Sequence, residues 1–133
     1  NSMKTRMIWA NLATNDIQKT IQFYTALGFK QNGKETSELV SFAFADSNFI
    51  INFFTAKRFE WALKGKPVNT ETENEIIFSL SADSREEIDL WLEKVKKAGG
   101  VIFSEPEDFE VGYTFGFTDP DGHKFNFLYW PGM

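Results

Sequence analysis

The same order of local signals runs twice along this chain, and that repeat limits the possible fold more than any other feature. Residues 7–14 alternate like a strand, with Trp9, Asn11 and Ala13 on one face and Ile8, Ala10 and Leu12 on the other. Asn15 or Asp16 then offers a side chain to cap a helix. Ile17, Ile21, Tyr24 and Leu27 recur at helical spacing, and Gly28 provides a left-handed stop. Residues 39–45 and 49–55 predict a hairpin around Asp46-Ser47-Asn48. Residues 56–65 have helical character, and 66–74 form a polar connection.

The order then starts again. Residues 75–82 predict a strand. Ser84 caps a helix whose Glu87 suits a capping box, and Ile88, Trp91, Leu92 and Val95 make its buried stripe. Gly99-Gly100 ends it, and residues 101–103 form a short strand. Residues 112–118 and 123–129 make a hairpin across Asp119-Pro120-Asp121-Gly122, a strong turn signal. The caps Asp16 and Ser84 align, and at the same offset Trp9 aligns with Ile77 and Asn11 with Ser79. Phe42-Ala43-Phe44 matches Phe115-Gly116-Phe117, and Ile51-Asn52-Phe53 matches Phe125-Asn126-Phe127. These two matches differ in offset by one, which predicts a second turn one residue longer than the first. The expected organisation is one domain over residues 3–133, made of modules 7–65 and 75–130. Asn1-Ser2 read as residues added ahead of a natural start at Met3.

Composition narrows the function classes. The 133 residues are 42% hydrophobic and 25% charged, which suits a folded domain. The aromatic share is 17%, with 15 Phe; most of these rings are expected in the core and a few lining an apolar pocket. A net charge of −5 without a basic face argues against nucleic acid as a partner. No apolar run is long enough for a membrane span, and no signal-peptide pattern opens the chain. The expected location is cytoplasmic. With no cysteine, thiolate and disulfide chemistry are absent.

In this order and spacing, several of these motifs are similar to those of one family. Asn11-Leu12-Ala13-Thr14-Asn15-Asp16, followed by Phe23-Tyr24-Thr25-Ala26-Leu27-Gly28-Phe29, resembles the opening of the vicinal oxygen chelate superfamily (glyoxalase, bleomycin resistance protein, dioxygenase). Phe115-Gly116-Phe117-Thr118-Asp119-Pro120-Asp121-Gly122-His123-Lys124-Phe125 resembles its closing hairpin. The helix from Asp83, ending Ala98-Gly99-Gly100, is similar to a bacterial lactoylglutathione-lyase-like subgroup. The resemblance implies an α+β fold of two tandem βαβββ modules, with mixed sheets curled into a half-open barrel and helices outside. It implies a cavity enclosed by the modules, and homodimers. In the metal enzymes of the family, first- and last-strand side chains hold a divalent ion that polarises substrate oxygens.

Carried over residue by residue, the ligand positions fall on Trp9, Asn52, Ile77 and Asn126. Trp and Ile offer no lone pair, and two neutral Asn carbonyls do not hold a catalytic divalent ion without anionic help. The single histidine, His123, cannot make a two-histidine site and reads as a surface or hairpin-end imidazole. Glu75, two residues before Ile77, is the one acid that could lean into such a site and the weak catalytic candidate. Asp119 and Asp121 read as turn residues whose side chains cap local N–H groups. Trp61 packs on the surface or lines the cavity wall; both readings stand.

The expected site is therefore a metal-free, cofactor-free face of Trp9, Asn11, Asn52, Phe54, Ile77, Ser79 and Asn126, taking a small organic molecule. Trp9 and Phe54 would enclose its apolar part, and the asparagines would orient it; the alternative is that the asparagines hydrogen-bond each other across a filled barrel. The expected function is binding or sequestration of a small ligand. The alternative is a glyoxalase-like lyase or isomerase acting on a small oxygenated or thiol-conjugated substrate.

Overall fold

The computed structural model describes residues 2–132, so Asn1, half of the expected added pair, and Met133 lie outside the described residues. The chain divides into two compact units, one ending at Pro67 and one beginning at Val68.

The first unit runs β1 (Trp9–Thr14), α1 (Ile17–Ala26), β2 (Lys30–Gln31), β3 (Leu39–Phe44), β4 (Phe49–Thr55) and α2 (Ala56–Leu63). Of the two cap candidates Asp16 does the capping: its carboxylate accepts the Lys19 N–H at 3.1 Å, satisfying a donor the first helical turn leaves open. Gly28, at φ +92°, turns the chain out of the helix in the left-handed region. The sheet order is β1-β4-β3-β2, with β1 parallel to β4 and the other pairs antiparallel. Strand alternation buries Phe42, Phe44, Ile51 and Phe53 against α1, where Tyr24 lies 4.9 Å from Phe53 and 5.5 Å from Phe42, ring to ring. Each buried ring contributes about 1.5–3 kcal/mol by leaving water.

The second unit repeats the plan with β5 (Ile77–Ala82), α3 (Arg85–Ala98), β6 (Val101–Phe109), β7 (Gly112–Thr118) and β8 (Lys124–Tyr129), in the order β5-β8-β7-β6. Ser84 Oγ accepts the Glu87 N–H at 3.1 Å, the serine half of the expected capping box. Phe115, Phe117, Phe125 and Phe127 are buried beside Ile88 and Val95 of α3, and Trp91 stacks on Phe127 at 4.3 Å. The two four-stranded mixed sheets with their helices make the expected α+β fold. No helix among the described residues is long and apolar enough to cross a membrane.

Register corrects the hairpin alignment. Asn11 pairs with Asn52 and Ser79 with Asn126, so those equivalences hold. However, Ile51 faces Phe42 whereas Phe125 faces Phe117, so Phe42 corresponds to Phe117 and not to Phe115. The second connection is therefore one residue shorter than the first, not longer. The repeated Phe-x-Phe spelling matched equally well two residues out of step, because both settings keep phenylalanine on the same face. Two strands also departed from expectation. β2 is two residues long and visible only through its pairing. β6 extends to Phe109 through Pro106 with two register shifts, which an edge strand tolerates.

The two connections differ in strain. In the first, Ala45, Asp46 and Ser47 all have positive φ, at 54°, 54° and 67°. In the second, Gly122 (φ +88°) takes that role, and a Cβ there would run into the Thr70 carbonyl. Asp119 Oδ1 accepts the N–H of Asp121 at 3.0 Å and of His123 at 2.9 Å, the capping role expected of a turn aspartate. His123 itself is buried, not a surface imidazole, because the connection folds in and the Thr70 hydroxyl and Asn74 amide bind the Asp121 and Gly122 carbonyls. In urea denaturation, Ser47→Gly should stabilise the protein by about 1 kcal/mol by relieving a left-handed residue. Gly122→Ala should destabilise it by about 2 kcal/mol or more.

On the outer side of the second unit, the Tyr113 hydroxyl donates to Asp89 Oδ1 at 2.9 Å, and Arg85 lies over the Tyr113 ring while pairing with Asp108 at 2.7 Å. The hydrogen bond to Asp89 holds the phenol above its ordinary pKa, with burial adding to it and Arg85 opposing. A raised folded-state value means a contribution present below the unfolded pKa and lost as pH rises through the folded one. Asp89→Asn should make Tyr113 ionise at lower pH, as read by NMR titration of its ring carbons, and should flatten the alkaline loss of stability.

Candidate functional site

Strand alternation that buries phenylalanine on the helix side puts a second set of residues on the opposite face of each sheet. In the first unit this face has three rows across β1, β4 and β3. Trp9, Ile50 and Ala43 form one row, Asn11, Asn52 and Ser41 the next, and Ala13, Phe54 and Leu39 the third. A polar row thus runs between two apolar rows. Asn52 Nδ2 donates to Asn11 Oδ1 at 2.9 Å, and the Asn32 amide reaches Ser41 Oγ at 3.3 Å. That single bond between the two asparagines leaves an amide N–H on Asn11 and the Asn52 carbonyl oxygen able to engage a further molecule. Trp9 is 49% exposed, too open to be a core residue.

The equivalent face of the second unit carries Ile77, Lys124 and Thr118, then Ser79, Asn126 and Gly116, then Ser81, Leu128 and Thr114. Gly116 stands where the first unit has Ser41, and the Phe103 ring lies over it. A Cβ on Gly116 would come within 2.5 Å of that ring, so any larger residue there would push the ring aside. Asn126 Oδ1 is buried and has no hydrogen-bond partner among the described residues. A buried unpaired acceptor costs about 1–3 kcal/mol, which a protein does not carry without a reason.

The structure therefore gathers Trp9, Asn11, Asn52 and Phe54 on one face, and Ile77, Ser79 and Asn126 on the equivalent face of the second sheet. Glu75 is exposed, ahead of β5. Sequence reasoning missed three residues. The Arg58 guanidinium lies 5.8 Å from the Phe54 ring and 4.4 Å from the Trp61 ring. The Lys124 ammonium lies 4.6 Å from the ring of Phe103. Lys124 was within reach of the alternation argument, being two residues before Asn126 on the same strand. Arg58 and Phe103 carried no such signal. Trp61 is exposed, with Lys64 Nζ 3.7 Å from its ring.

The sequence profile of the Glyoxalase/Bleomycin resistance protein/Dioxygenase superfamily matches residues 6–127. The chain belongs to that superfamily. A solved hypothetical protein from S. aureus is 33% identical, with 96% of each chain covered and a TM-score of 0.85. A glyoxalase-related enzyme from Fulvimarina pelagi matches at 16% identity, 96% of this chain, 90% of that one and TM-score 0.81. A lactoylglutathione lyase from Agrobacterium tumefaciens matches at 14% identity, 99% and 100% coverage and TM-score 0.70. The last two show likeness of fold. No curated protein matches the chain.

The metal of the superfamily's enzymes does not fit the residues present. Trp9 and Ile77 have no donor atom to give, Asn52 spends its N–H on Asn11, and the remaining carbonyls are neutral. Asp119, Asp121 and His123 do bring ligand atoms within 4.8 Å of one another, all buried. That group belongs to the β7–β8 turn, where Asp119 Oδ1 already serves two backbone N–H groups.

The equivalent asparagines should respond oppositely to substitution. Asn126→Leu removes an unpaired buried acceptor and should raise stability by about 1 kcal/mol or more in chemical denaturation. Asn52→Leu removes a made hydrogen bond and should lower it by about 1 kcal/mol.

Proposed function

We propose that this superfamily member binds a small organic molecule on its asparagine-bearing strand faces, without a metal ion. The observation that carries the reading is the buried Asn126 Oδ1, an acceptor waiting for a donor, at the position where the first unit has the paired Asn52. The rows around Asn52 support it: amides between apolar strips match a molecule with a polar group on an apolar body. Trp9 and Phe54 supply flat apolar contact, and Asn11, Asn52, Ser79 and Asn126 supply oriented donors and acceptors. Binding or sequestration needs nothing further from the chain, whereas metal-assisted chemistry needs anionic ligands that these positions lack.

The test is a fragment library screened by amide and side-chain NMR shifts. Hits should cluster on Asn11, Asn52, Ser79 and Asn126, and Asn126→Leu should weaken those reporting on the second face by about tenfold while the fold persists. Hits that map elsewhere, or affinity unchanged in Asn126→Leu and Asn52→Leu alike, would refute the reading. Paramagnetic Mn2+ at equimolar concentration should leave the same resonances sharp; selective broadening there would refute the metal-free part.

A further inference from the structure

We propose that the molecule taken by the Asn11–Asn52 face is an apolar-bodied carboxylate, and that Arg58 is the residue that receives the carboxylate. The proposal rests on the reading of that face as a binding face, and it deepens that reading by naming the ligand class.

Arg58 is placed by two elements at once. Its guanidinium stacks on Trp61, one helical turn along α2, and also reaches Phe54, whose position on the face is set by its pairing with Ala13 and Leu39. An arginine stacked only on a helical neighbour would be an ordinary solvent-facing contact. Contact with a strand ring as well draws the charge to the edge of the face, two strand positions from Asn52. Arg58 is half-buried, and among the described residues it makes no ion pair. The strand positions of the face offer it none, since Trp9, Asn11, Ala13, Leu39, Ser41, Ala43, Ile50, Asn52 and Phe54 include no carboxylate.

A chain with 19 acidic and 14 basic side chains could readily have supplied a partner. Leaving a half-buried guanidinium unpaired is costly unless something else supplies the negative charge. Contacts with aromatic rings engage no N–H of the guanidinium in a hydrogen bond, so its fork of donors is available to match a carboxylate bidentately. The uncommitted N–H of Asn11, on the strand paired with that of Phe54, adds a neutral donor on the same face. The Trp9–Ile50–Ala43 and Ala13–Phe54–Leu39 rows fit the rest of such a molecule. The second unit independently puts a cation on its equivalent face, Lys124 over Phe103.

The experiment is an NMR titration with matched acid and amide probes: phenylacetate, indole-3-acetate and 4-methylpentanoate, each against its primary amide. The readouts are the Asn11 and Asn52 side-chain amides and the Trp61 indole N–H. The expected result is that at least one acid shifts all three signals and binds about tenfold or more tightly than its amide. In Arg58→Gln that preference should fall to about one, and in Arg58→Lys, which keeps the charge without the fork, it should be intermediate. Amides binding as well as acids would overturn the carboxylate assignment and leave the binding face standing. Acids that shift Trp61 but neither asparagine would overturn it too, as attraction to the helix alone. An acid preference that survives Arg58→Gln would remove Arg58 from the role. No shift at either asparagine with any probe would count against the binding face and this proposal together.

Discussion

The pairing of each module's last strand with its first decides where every other side chain stands. β4 and β8 are inner strands, parallel to β1 and β5 on one side and antiparallel to β3 and β7 on the other. Side chains alternate along a strand, so slipping either pairing by one residue would bury an asparagine under the helix and expose a phenylalanine. Phe53 and Phe127 are almost completely buried. Losing that burial costs about 1.5–3 kcal/mol per ring, before the cost of burying an amide without a partner. The aromatic layer thus holds the register, and the register holds Asn52 and Asn126 on the other face.

The two modules satisfy that constraint differently. In the first, Asn52 donates to Asn11 and Asn32 to Ser41, so each polar side chain of the row has a partner while Asn11 keeps an N–H to spare. In the second, glycine replaces serine, Phe103 fills the space, serine replaces Asn11, and Asn126 keeps a buried acceptor unpaired. A module optimised for stability alone would not keep that atom, so under the proposed function stability and binding pull against each other there. Electrostatics show a related tension: a chain of net charge −5 keeps Arg58 and Lys124 beside aromatic rings on these faces. Superfamily membership leaves the chemistry open, because the same fold serves metal enzymes and binding proteins, and the proposal of metal-free binding rests on the donor atoms at the ligand positions.

Much of this was legible in the sequence because the relevant signals are local. The caps Asp16 and Ser84, the stops Gly28 and Gly99 and the alternation of β1, β4, β5, β7 and β8 depend on residues within a few positions of each other. Alternation placed Trp9 with Asn11, Asn52 with Phe54 and Ile77 with Ser79 on single strand faces, and the family resemblance turned those faces, with Asn126, to a common site. The hairpin offset was misread because a Phe-x-Phe pattern has period two and looks the same when shifted by two. β2 is too short to show a period, and β6 hides behind Pro106 and its acidic neighbours, both tolerable on an edge strand.

By itself, the sequence determined that the chain repeats one strand–helix–hairpin plan and which faces its strands present, and its resemblance to the superfamily put Trp9, Ile77, Asn52 and Asn126 at the metal-ligand positions. The plan and the faces follow from residue type and from periods of 2 and 3.6, which the chain carries locally. Only the tertiary structure decided which asparagine has a partner, that His123 is buried, that Phe103 lies on Gly116, and that Arg58 stands over Phe54. Each of these depends on strand pairing or on the path of a helix leaving a sheet. Which side chains meet across such contacts is set by packing the whole unit, and no local spacing encodes it.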